Sequence, residues 1–129
     1  MADGIARPEE CYISKRLFAE HAYDLCARTG YYQATWKLFD EEAPINGIYG
    51  HFMDKSGRVI VIKILFNESY PEMPPLIVST PPIHDACFDN QGVLHFATKQ
   101  GLFVWQRYKR YSNPLVYLAD ELAGHYKAI

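Results

Sequence analysis

Long hydrophobic runs are missing from this chain. No apolar stretch approaches the roughly 20 residues needed to cross a bilayer, and the first residues are acidic and mixed where a secretion signal would be basic and then apolar. Excess charge is missing too. A formal net charge of −2 over 129 residues gives no overall case for a nucleic-acid-binding protein. Cysteine is scarce: Cys11, Cys26 and Cys87 are an odd number at no framework spacing, which argues against a disulfide-stapled secreted domain. Reduced thiols fit a cytoplasmic or nuclear setting. Internal repeats, low-complexity tracts and a second domain are also absent. With 49% hydrophobic residues, residues 8–129 are expected to form one domain with a core of its own behind a flexible leader, residues 1–7.

Two helices and a run of strands are legible. Pro8-Glu9-Glu10 sets proline at a first helical position and acids against the positive helix end. Cys11, Leu17, Phe18, Ala22, Leu25 and Cys26 then recur at close to a helical period until Thr29-Gly30, which predicts an amphipathic helix over residues 8–28. From Tyr31 the period shortens. Residues 32–38 read as a strand, 40–44 as a polar turn, and 45–52 as a second strand. Asp54-Lys55-Ser56-Gly57 makes a tight hairpin into the strongest strand candidate, residues 58–66, and 76–79 form a fourth strand. After Pro81-Pro82 the pattern is irregular until Asn113-Pro114, a capping residue followed by proline at a first helical position. Leu115, Leu118, Ala119, Leu122 and Ala123 give that helix one apolar face up to about His125. The fold class is α+β: an N-terminal helix, a four-stranded antiparallel meander and a C-terminal helix.

Between the third and fourth strands lies Tyr70-Pro71-Glu72-Met73-Pro74-Pro75. Three prolines in six positions remove three backbone donors and fix three φ angles, so the run must be a stiff connection of definite shape. Tyr70–Pro71 is a candidate cis peptide, since an X–Pro bond has little trans preference. A His84 loop, a Gly92 turn and His95 follow.

This series resembles the ubiquitin-conjugating enzymes over about residues 8–127. Tyr70, Pro71, Pro74 and Pro75 match that family's Tyr-Pro-x-x-Pro-Pro flap, and His84 matches the histidine of its His-Pro-Asn turn. Gly92-Val93-Leu94-His95 matches Gly-x-Ile-Cys, and Trp105 falls near a later tryptophan. The resemblance implies the ubiquitin-conjugating (UBC-like) fold. Its departures imply the loss of activity. His95 stands at the catalytic cysteine position, and Asp85-Ala86 replaces Pro-Asn, so Ala86 stands where the oxyanion asparagine would be. Loss of the nucleophile removes the covalent intermediate, and loss of an oxyanion donor costs about two to three powers of ten in rate. The expected class is therefore the ubiquitin E2 variants (UEV), pseudoenzymes that bind partners without catalysis. Within it the chain is similar to the Fused-toes/AKT-interacting-protein group, through Pro82-Ile83-His84, the Gly92 turn, Trp105 with its basic neighbours and a tyrosine-bearing last helix. That implies an adaptor in vesicle transport with coiled-coil partners. Glu72 and Met73 stand between the flap prolines, where active members commonly carry an aromatic residue for ligases, so ordinary ligase docking is not expected.

Cys87 as a relocated nucleophile is disfavoured, because Asp85 and Asp89 flank it where a reactive thiol wants positive charge. Cys11 and Cys26 are expected as packing residues. His84, Cys87 and His95 supply only three ligand types at spacings of three and eight, a poor zinc pattern, so neither metal nor cofactor is expected. Residues 99–111 carry four cations, no acid and four aromatics. Phe103, Val104 and Trp105 are expected in the core. Arg107, Tyr108, Lys109, Arg110 and Tyr111 are expected as a protein-binding surface, in preference to a nucleic-acid one. The partner classes implied are a ubiquitin-like modifier, an active conjugating enzyme or a coiled-coil adaptor. The alternatives are a cofactor subunit or unconventional enzyme of ubiquitin-like conjugation, and an RWD-type interaction domain.

Overall fold

The computed structural model describes residues 8–27, 35–38, 46–83 and 87–129. The leader, residues 32–34 of the first predicted strand, the 40–44 turn, and His84 with Ala86 lie outside them. Helix α1 spans Pro8–Cys26 and is followed by strands β1 (Trp36–Leu38), β2 (Gly47–Met53), β3 (Val59–Leu65) and β4 (Leu76–Thr80). Helix α2 (Trp105–Lys109), helix α3 (Pro114–His125) and strand β5 (Lys127–Ala128) complete the order. The expected α+β class holds, and β1-β2-β3-β4 form an antiparallel meander. No helix among the described residues is long and apolar enough to cross a membrane.

The strands follow from their composition. In β3, Val59-Ile60-Val61-Ile62-Lys63-Ile64-Leu65, the three isoleucines are fully buried and the residues between them are not. That is the period-two signature of a sheet with one covered face. Register carries it across the sheet: Ile48 pairs with Ile64, Phe52 with Ile60, and Ile64 with Ile77. Each of these isoleucines contributes about 1.5–3 kcal/mol by leaving water. The covered face packs on Phe18, Ala22 and Leu25 of α1 and on Leu115, Leu118, Ala119 and Leu122 of α3, in one continuous cluster. The expected Asn113 cap is present, its side-chain oxygen accepting from the Leu115 amide at 3.1 Å. The same side chain donates to the His21 carbonyl at 3.1 Å and to Asp24 Oδ2 at 3.0 Å. One asparagine thereby starts α3 and fastens it to α1.

Two features extend the expected four-stranded meander and order part of the segment read as irregular. First, β5 pairs with Phe52 and Met53 of β2, on the edge whose other half, Ile48 to Gly50, pairs with β1. Second, the stretch after Pro82 is partly ordered as sheet and helix. Val93 bridges Val78, and Leu94 bridges Phe88, so two short extended segments continue the sheet beyond β4. Helix α2 then forms from residues read as irregular. Trp105 and Tyr108 turn inward on it, and a five-residue helix is too short to show a period.

Candidate functional site

The proline run is fastened from four sides. Tyr70–Pro71 is cis, as expected, and Thr80–Pro81 is a second cis bond. The Asn67 amide donates to the Pro74 carbonyl at 3.1 Å, closing the loop at its base. Tyr70 is fully buried, with its ring edge-on to Phe18 at 5.3 Å and its hydroxyl 2.5 Å from His21 Nδ1. Burial pushes the Tyr70 phenol up and holds His21 below its ordinary range, the latter opposed by a bond to the Ser112 backbone and by Glu20 and Asp24. The Trp105 indole N–H donates to the Pro71 carbonyl at 2.8 Å, and Lys109 Nζ lies 2.7 Å from Glu72 Oε2. Tyr70, Pro71, Pro74 and Pro75 are thus a rigid structural unit, with Pro75 buried. Between them Met73 is left exposed.

The Gly92 turn is built around Asp89. Asp89 Oδ1 accepts from the Gln91 and Val93 amides at 2.8 and 3.0 Å, and Oδ2 lies 2.9 Å from His95 Nε2. The His95 contact, then the amide bonds, hold this carboxyl below the ordinary carboxylate range. Gly92 has φ +83°, and a Cβ there would come within 2.4 Å of the Ser79 carbonyl oxygen. Only glycine fits, because the Gly92 carbonyl also accepts from the Ser79 amide at 2.8 Å and so pins the turn to β4. His95 projects from the end of this ribbon with its side chain 69% exposed. Its amide donates to the Cys87 carbonyl at 2.8 Å. Given the Phe88–Leu94 bridge, Cys87 is the residue directly opposite His95, and opposed residues of an antiparallel pair project from the same face. Cys87 is half-buried at the margin of the core. Sequence spacing gave no hint of this pairing, since the loop that brings the two together depends on Gly92.

No group of three or more His, Cys, Asp or Glu side chains among the described residues could hold a metal ion. Cys26 is half-buried against the core, and burial raises its thiol to about 11, which suits the expected packing role. The side chain of Cys11 lies outside the described residues, as do His84 and Ala86.

The basic stretch divides. Phe103, Val104 and Trp105 are buried as expected. Tyr108 is a correction: it is 3% exposed, its hydroxyl donates to Glu121 and lies 3.3 Å from the Leu102 carbonyl, and burial raises its phenol. On a helix entered at Trp105, the residue three positions on shares the inward face. Lys109 is half-buried and paired with Glu72. Arg107, Arg110 and Tyr111 are exposed. Tyr111 stacks on Tyr117 of α3, with ring centroids 3.6 Å apart and planes 17° from parallel. Tyr117 is not among the residues expected at this surface. Its position off the Leu115–Leu118–Leu122 stripe was the available signal. No known protein family, curated protein or solved structure matches this chain.

Proposed function

We propose that this chain is a catalytically inactive domain of the ubiquitin-conjugating-enzyme type, of the E2-variant class, that works as an adaptor by binding other proteins. The α1-meander-α3 order and the anchored Tyr-Pro-x-x-Pro-Pro flap support the finer fold assignment. The functional reading is carried by His95. At the place where the resemblance requires a thiol, an exposed imidazole is held by Asp89. Imidazole does not carry an acyl group as a stable thioester, so the covalent step of conjugation has no seat there. Glu72 at the flap, tied to Lys109, fits the loss of ordinary ligase docking. A vesicle-transport role with coiled-coil partners rests on the similarity to the Fused-toes group. Incubation with a ubiquitin-activating enzyme, ATP and ubiquitin is expected to leave no thiol-labile adduct on a non-reducing gel.

A second reading is favoured by one observation, the placement of Cys87 across from His95. A cysteine opposed across the ribbon to a histidine whose ring is held by a carboxylate supplies the residue types of an activated nucleophile. On that reading the chain is an unconventional enzyme of ubiquitin-like conjugation. An adduct that forms on the wild type and is lost in Cys87→Ser decides for it and against the adaptor. Stable co-purification with an active conjugating enzyme, without any adduct, decides for a cofactor subunit.

A further inference from the structure

The charge of this chain is unevenly distributed. From Asn90 to Ala119, thirty residues contain four cations and no carboxylate. The remainder carries nine cations against fifteen acids. Within that stretch the fold treats the cations differently. Lys109 is neutralised by Glu72 at 2.7 Å. Arg107 and Arg110 are exposed and meet no carboxylate of the described residues within ion-pair distance. Arg107 is nonetheless held in place, because its guanidinium donates to the Gly101 carbonyl. Arg110 lies with its guanidinium carbon 5.9 Å from the Tyr111 ring centroid. Tyr111 is in turn stacked on Tyr117, and the two rings stay 41% and 45% exposed.

The geometry points to Arg107, Arg110, Tyr111 and Tyr117 as a docking surface for an acidic segment of another protein. A flat aromatic pair tied between α3 and the end of α2 loses little freedom on binding, and Arg and Tyr are the residue types that dominate binding hot spots. Two guanidiniums with no carboxylate partner among the described residues attract carboxylates and set the orientation of an acidic segment. They do not suffice for a nucleic acid. Two phosphate contacts release about two counterions, which leaves only a weak association, and the remainder of the chain is net acidic.

The inference rests on the reading of this chain as a binding module, which the adduct assay decides; the titration below decides the surface. The wild type is titrated with a short fluorescein-labelled peptide of Glu and Asp carrying a central Trp, with its Gln/Asn twin, and with oligo-dT of equal length, followed by fluorescence anisotropy. The acidic peptide is expected to bind and to weaken as salt rises, while the twin and the oligonucleotide bind at least about tenfold less well. Arg107→Glu with Arg110→Glu should abolish acidic-peptide binding, and Tyr117→Ala should weaken it severalfold. Arg107→Gln with Arg110→Gln covers the case in which charge reversal disturbs folding, thermal melts serving as the check. Equal binding of the two peptides, no binding of either, tighter binding of oligo-dT, or binding untouched in both arginine pairs overturns the proposal.

Discussion

Tyr108 separates a surface reading of the basic stretch from a structural one, so Tyr108→Phe is the most informative single change. Phenylalanine keeps the ring, its 3% exposure and its contact with Trp105 at 6.1 Å. It removes only the hydroxyl that donates to Glu121. A hydrogen bond to a charged partner contributes about 1.5–3 kcal/mol. Glu121 is only half-buried and can be rehydrated in the variant, which points to the lower part of that range, about 2 kcal/mol. With an unfolding entropy of about 2.1 cal/mol/K per residue, the 129 residues give about 0.27 kcal/mol/K. The midpoint of thermal unfolding should therefore fall by about 7 °C. Circular dichroism melts and urea titrations measure this directly, and anisotropy with the acidic peptide should give the wild-type affinity. Unchanged stability with peptide binding lost would refute the reasoning, because it would put the phenol on the surface. Adding Glu121→Gln should cost little more than Tyr108→Phe alone, since the two groups share one interaction.

Gly92→Ala should destabilise the fold by at least about 1–3 kcal/mol from the left-handed backbone alone, with the contact to the Ser79 carbonyl added; a urea midpoint within error of the wild type would mean that the turn is not pinned to β4. Asp54 supplies the clearest pH dependence. Its Oδ1 accepts from Ser56 Oγ and from the Ser56 and Arg58 amides, Arg58 Nε lies 3.2 Å from Oδ2, and these bonds lower the carboxyl from 3.8 to about 2. A depressed folded value means that its stabilisation is complete above the unfolded value and is lost as pH falls from about 4 to about 2. The urea midpoint of Asp54→Asn should vary less across that window than the wild type's, and equal slopes would exclude Asp54 as a contributor.

Much of the fold lay open in local pattern. The alternation of Val59–Leu65, the period of Leu115 to Ala123 and the Asn113-Pro114 start each specify their element through neighbours in the chain, and all three appear where expected. The proline run announced a stiff connection because proline's constraints are covalent. Partner-dependent features were not legible in this way. Tyr108 reads as surface among cations because its inward turn depends on α2, which is fastened to the proline run by the Trp105–Pro71 bond. Two residues at β5 have no period, and their strand exists because β1 leaves half of the β2 edge open. The pairing of Cys87 with His95, and the stacking of Tyr111 on Tyr117, join residues whose separation in the chain carries no signal. Local chemistry sets which segments become helix, strand or rigid turn. Only packing decides which of their side chains remain available, because burial is settled by what lies across the fold.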